Sequence, residues 1–212
     1  MPRAHNSWSH RLARLLVRPL VGTAVRPDHV TGLRVLVGAA ACLGFAWGGR
    51  EAQVWGGTLW VAGALLDRAD GELARLSGQI SAKGAIYDYV SDLAVNSAMF
   101  VAVGIGLRQS GLGVWAPALG LLCGLCFGLL FHWCEVLEER VDPEVVVLGG
   151  GGGFDPDDAF YLLGPLAWMG MLGIVPVAGA IVLPPLAAAV GLRLWRARKR
   201  LAEAAAQAER GV

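Results

Sequence analysis

Long apolar stretches, separated by short polar segments, dominate the pattern of this chain. A membrane-spanning helix requires roughly 20 mostly apolar residues, and six stretches approach that length. They lie near residues 29–48, 53–75, 84–107, 112–135, 157–174 and 176–195. Only a short turn around Pro176 separates the last two. The pattern therefore predicts an all-α polytopic membrane protein with six transmembrane helices.

The residues before the first span carry a different, two-sided pattern. Apolar side chains recur at helical spacing on one face, and basic side chains recur on another. The apolar positions are Trp8, Leu12, Leu15 and Leu16, and the basic positions are Arg11, Arg14 and Arg18. A basic amphipathic helix of this kind lies along a membrane surface. We therefore expect a juxtamembrane helix in residues 1–26, a six-helix transmembrane domain in residues 27–200, and a cytosolic tail in residues 201–212.

Composition supports the membrane class and gives an orientation. The chain is 55% hydrophobic and 17% charged, whereas soluble domains carry about 25% charged residues. Of 18 lysines and arginines, only Arg50 and Arg108 fall at the turns after the first and third spans. Positive charge marks the cytosolic side, so both termini and the loop between spans two and three are predicted to be cytosolic. We expect an integral protein of a bacterial cytoplasmic (inner) membrane.

Two other local patterns have structural interpretations. Cys123 and Cys126 form a CxxC within an apolar stretch, without a second pair, and are expected to pack inside a helix. The loop between spans four and five contains the run Gly149–Gly153, which is typical of a flexible tether. Acidic side chains follow it and are expected to cap the fifth helix. They are Asp155, Asp157 and Asp158.

Four aspartates flank the loop between the second and third spans. Asp67 and Asp70 are three residues apart, and Asp88 and Asp92 are four apart, so each pair lies on one helical face. Only 17 residues separate the two pairs, which predicts a helical hairpin with facing carboxylates. Clustered carboxylates repel one another, and divalent cations relieve this repulsion because they prefer oxygen ligands. Two Mg²⁺ or Mn²⁺ ions can also hold the reacting oxygens of a phosphoryl transfer.

Small and basic residues accompany these aspartates. Gly71 and Ala74 continue the face of the first pair, and Gly84 lies one turn before Asp88. They leave room for a bulky group to approach the backbone. Arg75 adds a cation suited to a phosphate oxygen. The position within the membrane indicates that one substrate is a lipid.

Together these residues form the pattern Asp67-x2-Asp70-Gly71-x2-Ala74-Arg75-x8-Gly84-x3-Asp88-x3-Asp92, which resembles the signature of the CDP-alcohol phosphotransferase family. All eight positions and every spacing match. The resemblance implies transfer of a phosphatidyl (phosphoryl-alcohol) group from a CDP-alcohol, above all CDP-diacylglycerol, to an acceptor hydroxyl. It implies release of CMP, dependence on two divalent cations, a role in phospholipid biosynthesis and a homodimer, and no nucleic-acid partner.

The resemblance also implies roles for individual residues. The metal ligands would be Asp67, Asp70, Asp88 and Asp92, and Asp92 would alternatively act as the catalytic general base. The nucleotide site would include Thr31, Asp67, Gly71, Ala74, Arg75 and Ser81. The family often has Pro-Asn-x-x-Thr before its first span, and here the asparagine is replaced by Asp28.

The acceptor alcohol is left open by the sequence. The stretch from Asp88 to Asp92 differs from the Asp-Pro-Leu-Ala-Asp of glycerophosphate-transferring members. The stretch of residues 70–88, DGELARLSGQISAKGAIYD, resembles somewhat more closely the members that use inositol phosphate or related polyol phosphates. Basic candidates for such an acceptor are Lys83, Arg140, Arg193 and Arg196. An amino alcohol or glycerophosphate remains an alternative.

A protein of another class, a cation-coupled transporter, would also place aspartates in a membrane, but no internal repeat supports it.

Overall fold

The computed structural model describes residues 7–138 and 156–210, and this part of the chain is helical without any strand. The α-helices are α1 (Trp8–Val17), α2 (Pro27–Trp47), α3 (Arg50–Ser77), α4 (Ala82–Gly106), α5 (Trp115–Val136), α6 (Leu163–Met169) and α7 (Ile174–Arg210). Two 3-10 helices, Arg18–Leu20 and Pro156–Leu162, follow α1 and precede α6. The all-α prediction is confirmed for the described residues.

Four helices are long and apolar enough to cross a membrane. They are α2, α4, α5 and the Ile174–Glu203 part of α7. With 28 residues, α3 has sufficient length, but its carboxyl-terminal third is charged. Four of the six predicted spans therefore coincide with such helices, and the remaining two stay predictions.

The fifth predicted span, 157–174, takes a form that the hydropathy pattern did not predict. Instead of one helix it comprises a 3-10 helix and the seven-residue α6, which is too short to cross a membrane alone. Both pieces lie along α3, where the Tyr161 hydroxyl donates to the Ala64 carbonyl at 2.9 Å.

A left-handed glycine ends α6. Gly170 has φ +75°, a conformation that favours glycine at the residue after a helix. The Arg50 guanidinium donates to the carbonyls of Ala167 and Trp168, so the last carbonyls of this short helix are satisfied. The helix therefore stops at Met169 rather than continuing to residue 174.

The last helix, α7, runs without interruption from the predicted sixth span into the predicted tail. It passes through Pro184 and Pro185, and no break occurs at residue 200. Its buried side chains Ala187, Val190 and Leu194 pack against α5. Near the start of α7, the Cys123 thiol of α5 donates to the Pro176 carbonyl at 3.4 Å. Since all four cysteines are free, this contact agrees with a packing role.

Glycines allow the helices around the main core to approach closely. A Cβ atom at Gly104 of α4 would lie 2.9 Å from the Gly120 Cα of α5, and one at Gly106 would collide with the Phe45 carbonyl of α2. Small residues permit such backbone contacts between membrane helices. The core beside them contains Phe45, Trp60 and Met99. It fixes α2, α3 and α4 against one another and so positions their other ends, where the acidic residues lie.

The amino-terminal helix α1 packs on the acidic end of α3. Ala13 and Val17 of α1 are buried in contact with Ala69 and Leu73 of α3. Its apolar positions Trp8, Leu12, Leu15 and Leu16 are exposed on another side. Placement of α1 at a membrane surface stays a prediction.

Candidate active site

Three aspartates from the α3–α4 hairpin converge, and we call Asp67, Asp88 and Asp92 the carboxylate trio. One carboxylate oxygen of each lies within 4.8 Å of the others. Asp88 and Asp92 lie one turn apart on α4 and face Asp67 of α3 because helical spacing places them on one side. Such a set of oxygen donors can hold a divalent cation.

Asp70 lies outside that group. It is 4% exposed, and its Oδ2 accepts a hydrogen bond from the Thr31 hydroxyl at 2.7 Å. Thr31 therefore joins α2 to α3. Thr31 and Asp70 thus bond to each other and are not members of the carboxylate trio. The metal role of Asp70 and the nucleotide role of Thr31 stay predictions.

Arg34 of α2 is the residue at this site that sequence reasoning missed. Its side chain is buried, and its Nη1 donates to the carboxylates of Asp67 and Asp92. The same nitrogen lies 3.5 Å from Asp88 Oδ1. A charged residue inside an apolar span is costly and usually functional, so the arginine one turn after Thr31 was the available signal.

Two buried polar atoms of the site lack a hydrogen-bond partner among the described residues. They are Asp88 Oδ1 and Arg34 Nε. Buried polar atoms are nearly always paired, and a carboxylate oxygen without a donor is suited to a cation ligand. The carboxylate trio thus fits the divalent cation that the donor chemistry implies.

Three of the predicted nucleotide residues, Gly71, Ala74 and Arg75, follow Asp70 on α3 within five positions. The Arg75 guanidinium lies against Gly71, since a Cβ atom there would be in contact with Nη1 and Nη2 of that arginine at 3.4 Å. Ala74 is half-buried on the same helix. The Arg75 guanidinium donates to Glu72 Oε1 at 2.9 Å, so it is fixed at the edge of the site. Nucleotide binding by these residues stays a prediction.

Glu72 is the centre of a second charged group, which we call the Glu72 cluster: Glu72, His10, Arg14 and Arg75. Glu72 is 1% exposed. Its Oε2 accepts from Arg14 Nε at 3.0 Å, and its Oε1 lies 3.0 Å from His10 Nδ1. The sequence suggested no such contact, because His10 and Arg14 precede Glu72 by about 60 residues.

Burial and neighbouring charges shift the pKa values of two α1 side chains, His10 and Arg14. Burial lowers the pKa of His10 below its ordinary value of 6.5, and the nearby positive charge of Arg68 acts in the same direction. These effects outweigh the contact with Glu72, which favours the protonated ring. The hydrogen bond to Glu72 raises the pKa of Arg14. His10 is therefore held neutral in a site that is otherwise highly charged.

Asp158 joins three parts of the chain. Its Oδ1 accepts from the Ser9 hydroxyl at 2.7 Å and lies 3.8 Å from Arg68 Nη2. The carboxylate of Asp158 is thus buried against α1 and α3, and its predicted role as a helix cap stays a prediction. Asp155, the Gly149–Gly153 run and the side chain of Asp157 lie outside the described residues.

A cleft of about 430 Å³ opens next to the start of α4. It is lined by Arg26, Pro27, Asp28, Gln79, Ile80 and Ser81. Ser81 caps α4, because its Oγ accepts from the Gly84 amide at 3.0 Å. A Cβ atom at Gly84 would approach Asp28 Oδ1 to 3.3 Å. The cleft thus brings the Pro27-Asp28 motif close to Ser81, a predicted nucleotide residue.

The structure does not bring the predicted acceptor residues together. Lys83, Arg193 and Arg196 are exposed, and none of their side chains makes a hydrogen bond or ion pair within residues 7–138 and 156–210. The helix that carries Arg193 and Arg196, α7, packs against α5 and α4. Arg140 lies outside the described residues. The acceptor site stays a prediction.

Comparison with known families agrees with the site. The family model for CDP-alcohol phosphatidyltransferase matches residues 24–148, which contain α2 to α5, the carboxylate trio and Asp70. No curated protein matches the chain. The family match covers more than half of the 212 residues, and the chain therefore belongs to the CDP-alcohol phosphatidyltransferase family.

Proposed function

We propose that this protein transfers the phosphatidyl group of CDP-diacylglycerol to the hydroxyl of a polar acceptor and releases CMP. Its family transfers such a group from a CDP-alcohol to an alcohol. The observation that carries the proposal is the carboxylate trio, in which the buried Asp88 Oδ1 has no hydrogen bond among the described residues and only an ion-pair contact of 3.5 Å with Arg34 Nη1. The apolar helices around it provide the surroundings that a lipid-linked donor requires.

The trio and Asp70 are the proposed ligands of two divalent cations, Mg²⁺ or Mn²⁺. Such cations would neutralise the negative charge of the diphosphate and of the oxygens between which the phosphoryl group passes. Carboxylate oxygens match this choice of cation. Asp70 is held at its place by Thr31, which fixes one ligand before any substrate binds.

Asp92 is the proposed general base. The acceptor oxygen forms a bond to the phosphorus that carries the lipid, and the bond from that phosphorus to the oxygen of CMP breaks. The hydroxyl proton passes to the Asp92 carboxylate. Asp92 suits this role because Arg34 donates to it and fixes its orientation.

The nucleotide is proposed to occupy the cleft beside Ser81 and to extend toward Gly71, Ala74 and Arg75. The cleft volume of about 430 Å³ lies in the range of small-molecule sites. The Arg75 guanidinium, which lies against Gly71, would bind a phosphate oxygen.

The acceptor and the cellular setting complete the proposal. We propose inositol phosphate or a related polyol phosphate as the acceptor, bound by Lys83, Arg140, Arg193 or Arg196, with glycerophosphate or an amino alcohol as the runner-up. We also propose a homodimer in a bacterial inner membrane with its site on the cytosolic side. The distribution of lysine and arginine supports this orientation.

A reconstitution assay tests the function. Purified protein in detergent is given CDP-diacylglycerol and one candidate acceptor at a time, with Mg²⁺, Mn²⁺ or EDTA, and CMP is measured by chromatography. We expect CMP release that requires both a divalent cation and one acceptor. Folded protein that releases no CMP with any acceptor would refute the proposal.

The variant Asp88→Asn tests the metal assignment in the same assay. Loss of one anionic ligand should lower CMP release by a factor of about 1,000 or more. The matched control is Glu51→Gln, which removes an exposed carboxylate from the first turn of α3. Activity retained by Asp88→Asn would reject the metal role of the trio.

A further inference from the structure

Arg34 lies at the point where the three helices of the site meet. It extends from α2 to carboxylates of both α3 and α4, and it is 4% exposed. Its Nη2 also lies 3.5 Å from the Asp88 carbonyl. One guanidinium thus contacts all three members of the carboxylate trio.

A purely structural role does not explain such an arginine well. Burial of a charged pair costs desolvation energy that often exceeds the attraction gained, so apolar residues stabilise a core as well or better. Arg34 Nε is also buried without a hydrogen-bond partner among the described residues. The arrangement therefore indicates a function for the positive charge itself.

Formal charge shows what this function would be. Asp67, Asp70, Asp88 and Asp92 together with Arg34 sum to −3 when all are ionised. Two divalent cations would change this sum to +1, which is opposite in sign to a diphosphate. Without the arginine the loaded site would be neutral. Before loading, the guanidinium competes with the cations for the same oxygens.

We propose that Arg34 is a resident counter-cation that lowers the affinity of the site for divalent cations and raises the affinity of the loaded site for the donor diphosphate. The inference rests on the proposed function for the identity of the donor. Arg34 acts here as a positioning and affinity-setting residue. It would make stable loading depend on the arrival of donor.

The test uses binding rather than turnover. Mn²⁺ binding to detergent-purified full-length protein is measured by electron paramagnetic resonance, without donor or acceptor. CDP, a nucleoside diphosphate with no transferable lipid, is then titrated into the Mg²⁺-loaded protein by calorimetry. The variants are Arg34→Gln and Arg34→Lys, and the control is Lys199→Gln, which removes an exposed positive charge on α7.

For Arg34→Gln we expect the Mn²⁺ dissociation constant to fall at least about tenfold, because a charge in contact with the ligands is removed. The CDP dissociation constant should rise about tenfold, because a cation near the diphosphate is lost. Arg34→Lys keeps the charge and should leave both constants within about threefold of wild type, as should Lys199→Gln. Mn²⁺ affinity of Arg34→Gln that is unchanged or weaker overturns the inference.

Folding is checked by size-exclusion chromatography and circular dichroism. If Arg34→Gln does not fold, Arg34→Lys decides alone, and Mn²⁺ binding weakened more than tenfold in that variant overturns the inference. Wild-type protein that releases CMP while Arg34→Gln shows no gain in Mn²⁺ affinity defeats the inference only. Wild-type protein that releases no CMP, with the predicted Mn²⁺ changes present, defeats the proposed function and supports the inference.

Discussion

Arg14 of α1 donates from Nε to Oε2 of Glu72 on α3 at 3.0 Å. Glu72 follows Asp70 and Gly71 directly in the sequence, so this contact joins the amino-terminal helix to the helix end that carries the candidate site. Glu72 also accepts from Arg75. The position of α1 and the position of a proposed phosphate-binding arginine therefore depend on one buried carboxylate.

Glu72→Gln should release α1 from α3. The amide loses the negative charge that holds Arg14 and Arg75, and loss of one partner in a buried charged group costs several kcal/mol. We expect amide exchange in α1 to increase at least about tenfold by hydrogen–deuterium exchange mass spectrometry, together with a higher KM for CDP-alcohol.

The matched control for this change is Glu51→Gln, on the same helix but exposed. It should leave exchange in α1 and the KM unchanged. An α1 that stays as protected in Glu72→Gln as in wild type would show that apolar contacts such as Ala13 against Leu73 hold the helix without the Glu72 cluster.

Acidic pH should weaken the attachment of α1 through His10. The pKa of His10 is lowered in the folded protein by burial and by Arg68, so below pH 6.5 the unfolded state binds a proton that the folded state does not. Stability from the neutral ring is present above that pH and is lost as pH falls toward the lowered value. The charged groups that face the ring are Glu72, Arg14, Arg68 and Arg75.

The measurement is exchange of α1 amides between pH 5 and 8, corrected for the intrinsic pH dependence of exchange. Wild type should lose protection below about pH 6.5, and His10→Asn should lose less over the same range. Equal pH dependence of the two proteins would exclude His10 as the responsible group.

Thr31→Val should affect Asp70 specifically. The substitution removes the hydroxyl that donates to Asp70 Oδ2 and leaves a buried carboxylate oxygen without that donor, at a cost of about 1–2 kcal/mol. We expect the Tm in detergent to fall by about 3–6 °C and CMP release to fall about tenfold. Thr31→Ser keeps the hydroxyl and should retain most of the thermal stability and most of the CMP release. A similar loss in the two variants would contradict the hydrogen-bond explanation.

Gly106→Ala should separate α2 from α4. A Cβ atom at this position collides with the Phe45 carbonyl, and a backbone atom cannot move aside as a flexible side chain can. Overpacking of this kind costs about 1–3 kcal/mol or more, and we expect the Tm to fall by at least about 5 °C. Gly111→Ala, where no atom lies within 4 Å of the added Cβ, should leave the Tm unchanged.

Sequence periodicity predicted the local geometry of the site but not its long-range contacts. The convergence of Asp67 with Asp88 and Asp92 follows from helical spacing and a short connection, both of which can be read from neighbouring residues. Arg34 contacts carboxylates that lie 33 and 58 positions away in the sequence. These contacts depend on how α2 packs against α3 and α4. Hydropathy likewise could not distinguish a single fifth helix from a 3-10 helix followed by α6, because both have the same composition.

The Glu72 cluster also constrains the order in which the protein can be assembled during synthesis. His10 leaves the ribosome 62 residues before Glu72, and Ser9 precedes its acceptor Asp158 by 149 residues. Helix α1 is consequently made before the residues that hold it, and its contacts are completed only after Asp158 has been made. The helices α2 to α5 are therefore synthesised before α1 can complete its contacts with Asp158 and the charged end of α3.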